Sequence, residues 1–355
     1  MAQLKPFRAV RYDGRRAGRL DDLVAPPFDV ISAEEREGYL ARSPYNVVHL
    51  TLPDDEAEAA RLWRAWQDEG VLARDSDPAL WWLAQDYVGP DGVARSREGL
   101  VASLRVEPYD AGVVLPHERT HAGPKENRLR LLRALRAHVE PIFLLHEGAL
   151  SGPGGEPVLE VELQGVRNRL WRVQGGPPAQ LADARLLIAD GHHRYETALA
   201  FHEEDGSEES AWLMVVIVPT EQEGLTIFPT HRLAQSVDSL TGEETGSVEE
   251  AFAALPSDRA AAVLYRGGRA EILTGDPGEL DSALVDRLGP GGVSYTPLKE
   301  EALAAVDAGE AEAAFLLRPP TIDQVRAVAE RGETMPQKST FFYPKLPSGL
   351  LFHPL

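Results

Sequence analysis

Leu186-Leu187-Ile188-Ala189-Asp190-Gly191-His192-His193-Arg194-Tyr195-Glu196 joins an apolar run to a cluster of charged and aromatic residues through a single glycine. The four leading apolar residues read as a short buried strand, Gly191 as a tight turn, and the residues after it as a helix running to about Glu203. A strand that passes through a glycine directly into a helix belongs to an α/β arrangement. It also leaves a helix N-terminus at the strand's end, where the first N–H groups lack intrahelical acceptors and the dipole is positive. Such a turn suits an anion, and phosphate is its usual guest. The Gly191 backbone, His192, His193 and Arg194 would be the phosphate contacts, the last three as charge-assisted donors. Asp190 is placed either to contact Mg²⁺ or to orient His193.

Toward the N-terminus, Val113-Val114-Leu115 reads as a strand that stops at Pro116. His117-Glu118-Arg119-Thr120 follows, and then a helix from about Pro124 to His138 with Leu129, Leu132 and Leu135 as its buried stripe. Residues 111–140 hold six Lys/Arg against three Glu, the reverse of the chain's balance. Glu118, between a strand end and a cationic helix, is a candidate general base for a hydroxyl it can reach. Lys125 and Arg128 on that helix, and Lys338 in the acid-free tail, are candidate charge-balancing phosphate contacts; Lys338-Ser339-Thr340 and Lys345 could cradle a second anion. His231-Arg232 is a weaker candidate of the same kind.

Further out the elements are plainer. Ser32-Ala33-Glu34-Glu35 has the capping-box form, predicting a helix to about Arg42. Asn46 to Leu52 reads as a strand. Residues 55–73 read as an amphipathic helix with Ala59, Leu62, Trp63 and Trp66 on one face, and Gly70 marks its end. Gly89-Pro90-Asp91-Gly92 joins a hairpin of 81–88 and 93–106. Pro141 to Leu145 and Trp212 to Val218 are expected strands. A further hairpin is expected around Arg266-Gly267-Gly268-Arg269, with helices near 299–307 and 321–331.

With 355 residues, the chain is expected to form more than one domain. The expected division is an N-terminal α+β segment 1–110, a phosphate-binding core 111–235, and a C-terminal α+β segment 236–355 that returns to the site. Lys plus Arg number 36 against 56 Asp plus Glu, a net charge of −20, which disfavours nucleic acid and an anionic membrane as partners. A small phosphorylated ligand is the expected partner. The absence of cysteine excludes thiolate chemistry and disulfides. No apolar leader or spanning run is present, so a soluble, cytoplasmic protein is expected.

His117-Glu118-Arg119-Thr120-His121 also spells HExxH, which in a zinc hydrolase needs both histidines on one helix face. Pro116 before it and Gly123-Pro124 after it work against that helix. A metal-dependent hydrolase is therefore kept only as a second alternative.

The chain resembles the family of domain of unknown function 1015. The resemblance rests on Pro6-Phe7-Arg8, Val24 to Ile31, Ser43 to Val48, His117 to Thr120, Pro124 to Leu129, Ala189 to Leu199 and Met335 to Lys345. The order His-Glu, basic helix, Pro141-Ile142 and Asp-Gly-His-His-Arg also resembles the free-serine kinases of the ParB/sulfiredoxin superfamily. That second resemblance implies a mixed α+β fold with a ParB/sulfiredoxin-like central core between N- and C-terminal elaborations. It implies a base role for Glu118 and phosphate contacts at Gly191, His192, His193 and Arg194. The expected activity is phosphoryl transfer to a hydroxylated metabolite, with free serine or phosphoserine first, Glu118, His193 and Asp190 as catalytic residues, and ATP, ADP or pyrophosphate as donor. A nucleotide-sensing or partner-binding module without turnover is the alternative.

Overall fold

In the computed structural model, which describes residues 1–355 except His121 and Ser239, the apolar run before the glycine turn is the strand Leu186–Asp190. The helix His192–Asp205 starts directly after Gly191. That strand lies second from the edge of a nine-stranded sheet. The order is Val114–Leu115, Leu186–Asp190, Ile142–His146, Trp212–Pro219, Ala94–Arg105, Leu80–Val88, Val166–Val173 and Leu159–Leu163, with Leu4–Lys5 also on Ala94–Arg105. Leu186–Asp190 runs parallel to Val114–Leu115, and Ile142–His146 parallel to Trp212–Pro219; the other pairings are antiparallel. The fold class is mixed α/β, as expected.

Every residue of Trp212–Pro219 is buried, which is why its sequence is an unbroken apolar run rather than an alternation. Tyr195 and Ala198 pack on the sheet beside Ile142, Leu144, Leu186 and Ile188. The helices Ala122–Leu135 and His192–Asp205 meet through Leu129, Leu132 and Phe201.

The helix Ala33–Arg42 begins at the full Ser32–Glu35 capping box. The helix Glu56–Asp68, capped by Asp55, buries Ala59, Trp63 and Trp66. It ends at the expected stop, Gly70, which takes φ +70°, and Leu72–Arg74 beyond it is a strand paired with Val10–Tyr12. The expected strand over 46–52 is instead the short helix Val48–Thr51. Asn46 is the reason: its side-chain oxygen accepts the Val48 N–H at 3.0 Å while its amide donates to Asp22 O at 2.8 Å. That local bond turns β-branched residues out of the extended state.

The chain divides into two compact units that differ from the division expected at 110 and 235. The first is Met1–Pro116, Thr120–Leu225 and Pro344–Leu355; the second is His117–Arg119 and Thr226–Tyr343. Strands of the expected N-terminal segment and of the expected core alternate within one sheet, so no domain border falls at 110.

The second unit is built on a six-stranded antiparallel sheet, in the order Glu243–Thr245, Arg269–Thr274, Ala261–Arg266, Ala313–Leu316, His231–Ala234, Ser294–Thr296. Val263, Ala314 and Leu316 pack against Ala251 of the helix Val248–Ala254 and Ala302 of the helix Lys299–Asp307. Ala262, Leu264 and Phe315 pack against Val285 of the helix Asp281–Leu288. The period-2 switch along Ala262-Val263-Leu264 divides the two layers. Among the described residues, no helix is long and apolar enough to cross a membrane.

Candidate functional site

In the first unit, the pairing of Leu186–Asp190 with Ile142–His146 shifts register between Ile188 and Asp190, so the strand ends in a kink. Gly191 follows at φ +99°, ψ +28° and serves as N-cap of the helix, with no side-chain cap on the freed N–H groups. A Cβ at this position would stand 3.2 Å from three guanidinium atoms of Arg194. Glycine is thus required twice, by its left-handed backbone and by the arginine lying against it.

Asp190 is held between two cations. Lys345 Nζ lies 2.6 Å from Oδ1 and Arg194 Nη2 lies 2.6 Å from Oδ2. Burial would push this carboxyl up; Lys345 and Arg194, with His192 behind them, outweigh burial and hold it well below the usual carboxylate range. Both Asp190 oxygens are therefore engaged, and the residue does not fit the Mg²⁺ contact expected from sequence. Among the described residues, no group of three or more His, Asp or Glu is arranged to hold a metal ion.

Arg194 is also placed differently from expectation. Its side chain is 9% exposed, and Nη1 donates to Pro141 O while Nη2 holds Asp190. It braces the turn from beneath. His192 is buried and His193 half-buried at the helix start, where phosphate contacts were expected.

Arg128 faces inward as well. Its Nη1 donates to Thr51 O at 2.5 Å, and its guanidinium sits 4.2 Å from the centre of the Phe28 ring. Glu140, 6% exposed, accepts from Phe28 N and Ser348 Oγ, both at 2.9 Å. Burial raises the Glu140 carboxyl, and Arg194 and Arg128 oppose the rise. Arg128, Glu140 and Arg194 line a cavity of about 50 Å³ with Thr197 and His138. Lys125 pairs with Glu196 at 3.4 Å, and Thr120 Oγ1 donates to the same oxygen at 2.6 Å.

In the second unit, His117-Glu118-Arg119 is extended. Glu118 makes a parallel bridge with Met335, and Met335 N donates to His117 O at 2.8 Å. An HExxH helix is therefore absent over 117–120, which corrects the zinc-hydrolase alternative; His121 lies outside the described residues. His117 is 1% exposed and its Nε2 is 3.0 Å from Thr340 Oγ1. Glu118 Oε1 lies 3.5 Å from the backbone N of Lys338, which itself takes φ +55° and has an exposed side chain. His231 is buried, accepting the Leu317 N–H at 3.1 Å, and burial lowers its pKa to about 4. Arg232, 1% exposed, pairs with Asp286 at 3.1 Å. Both belong to the sheet's interior.

Sequence reasoning missed Glu140, and Lys345, expected as a second anion contact, holds Asp190 instead. The usable signal for Lys345 was the acid-free run from Pro336 to the C-terminus. Glu140 carried none, because a lone glutamate before a proline looks like any loop acid.

Comparison with known proteins gives the following. The family described as "Protein of unknown function (DUF1015)" matches residues 4–293. None of the curated proteins matches. Among solved structures, a free serine kinase in complex with AMP is similar at 18% identity and a TM-score of 0.42, covering 67% of this chain and 89% of its own. A conserved hypothetical protein from Pyrococcus furiosus is similar at 18% identity and a TM-score of 0.38, with 66% and 90% covered. A C-terminally truncated SbnI from Staphylococcus aureus stands at 13% and 0.42, with 68% and 84% covered.

Proposed function

The chain belongs to the DUF1015 family, and from the geometry of its glycine turn we propose that it is a small-molecule phosphotransferase. The observation that carries this reading is the helix start directly after the left-handed Gly191, flanked by His192 and His193 and backed by Arg194 and Lys345. In a chain with net charge −20, Arg194 and Lys345 gather behind a glycine turn that leads into a helix N-terminus, the arrangement that binds phosphate.

Under this proposal, the backbone of Gly191 and His192 and the His193 imidazole hold the terminal phosphates of ATP, ADP or pyrophosphate. Arg194 and Lys345 act through Asp190 as positioning residues, and Lys125 and Arg128 add positive potential. Glu118, from its place in the His-Glu motif, is the base to test for the proton of the acceptor hydroxyl oxygen. That oxygen attacks the terminal phosphorus, the bond from phosphorus to the bridging oxygen breaks, and the leaving phosphate keeps the electron pair. Free serine is the first acceptor to test, from the order of the motifs.

The test is phosphorus NMR of the purified protein with each donor, serine and added Mg²⁺. Phosphoserine should form. Glu118→Gln should retain donor binding and lose at least about 100-fold in turnover. Retained turnover removes Glu118 as the base. Donor binding with no turnover on any hydroxylated acceptor points instead to a nucleotide-sensing module.

A further inference from the structure

The second unit contains a cavity of about 360 Å³ that the phosphotransferase reading does not use. Its inner wall is the Leu317–Arg318 strand end and the first turn of the helix Asp281–Leu288; its outer wall includes the start of the helix Ile322–Glu330.

The charges around it are already matched. Arg318 forks onto Asp281 at 2.8 and 2.7 Å and also donates to Pro256 O at 2.6 Å and Arg259 O at 3.0 Å. Arg259 pairs with Asp258 at 3.0 Å, and Glu279 with Arg287 at 2.9 Å. A charged guest would have to break one of these pairs or enter beside an acid. The remaining polar lining is Thr230, Ser257, Ser282, Thr321, Gln324 and Ser339. Hydroxyls both donate and accept, so such a lining matches a guest made of hydroxyls. At the floor, Ser282 and Ser339 are 7% and 5% exposed; Ser339 Oγ bonds Ser282 Oγ at 2.9 Å and Pro336 O at 2.6 Å. The Gln324 side chain uses its oxygen in the capping box with Thr321 N, and its amide N–H groups take no part in that box.

A second observation marks this wall. Ser339 lies between Lys338, whose backbone is left-handed and whose N–H faces Glu118, and Thr340, which bonds His117. Non-glycine residues held in this conformation gather at ligand clamps and switch regions.

We propose that this cavity binds a neutral polyhydroxylated small molecule, a sugar or cyclitol, through Ser282, Ser339, Thr230 and Gln324. The proposal does not rest on the phosphotransferase reading. The experiment is saturation-transfer NMR and calorimetry on the full chain with ribose, glucose and myo-inositol, and with ribose 5-phosphate and glucose 6-phosphate as charged counterparts. Two rim variants, Ser257→Trp and Gln324→Ala, sit at exposed positions and leave the core packing alone. At least one neutral compound should bind saturably and lose tenfold or more in affinity in both variants. The part of any ester binding that Ser257→Trp removes should be no tighter than that of the parent sugar. Failure of every neutral compound to bind, binding that survives both variants, or a variant-sensitive preference for the esters overturns the proposal.

Discussion

Gly191 concentrates the local chemistry of the first unit. At φ +99°, with Arg194 packed at 3.2 Å from where a Cβ would stand, it admits no side chain without strain. Gly191→Ala should destabilise the fold by about 1–3 kcal/mol in urea unfolding and weaken phosphate binding, because Arg194 must move. The Asp190 carboxylate makes a sharper case. Its two cations lie 2.6 Å away on separate elements, mostly buried, so removing one leaves an under-compensated charge. Lys345→Met should cost on the order of 3 kcal/mol by chemical denaturation; unchanged stability would show the pair to be solvent-screened. At this scale the sequence was half legible. The glycine turn and its histidines were plain, since a Gly between an apolar run and polar residues has few other uses. That Arg194 turns inward rather than toward a ligand was hidden, because an arginine four residues after an aspartate serves either role.

Among elements, helices with written stop and start signals read best. Ser32/Glu35 and Thr321/Gln324 each form the reciprocal cap. The 46–52 segment misread because a side-chain bond from Asn46 outweighed the β-preference of two valines. The pairing of His353–Pro354 with Ala137–His138 was also unreadable, being a contact between residues far apart in the chain. It sets a pH dependence. Burial lowers His138 to about 4, and burial together with His138 lowers His353 to about 3; Lys5 and Arg74 reinforce the effect on His353. In the unfolded chain both titrate near 6.5. Below that pH the unfolded state binds more protons, so their contribution is full above about 6.5 and falls as the pH drops toward 4. Each imidazole should cost on the order of 2 kcal/mol between pH 7 and pH 5. Urea unfolding of the full chain against His138→Phe at both pH values isolates the contribution; equal slopes for the two proteins would refute it.

At the scale of the whole molecule, the first unit is assembled from three separated stretches, the last only Pro344–Leu355. That short tail carries Lys345 onto Asp190, buries Phe352 and places Ser348 on Glu140. Deleting 344–355 should lower the first unit's thermal midpoint by more than 10 °C; calorimetry would read a small shift as evidence that the tail is dispensable. The sequence division at 110 and 235 differs from these units in its borders, because composition reports local character while strand pairing crosses it. Net charge is a sum over the whole chain and says nothing of a local cluster such as Arg194 and Lys345 on Asp190.

The central claim is that the backbone and imidazoles after Gly191 hold phosphate. The most direct measurement is a titration of ADP into protein carrying ¹⁵N-histidine, following the backbone amides of His192 and His193. Those two amides should shift saturably, and His193→Ala should raise the dissociation constant about 10- to 100-fold, the worth of one charge-assisted hydrogen bond. Silent amides at both positions under saturating ADP, or an affinity unmoved by His193→Ala, would contradict the claim.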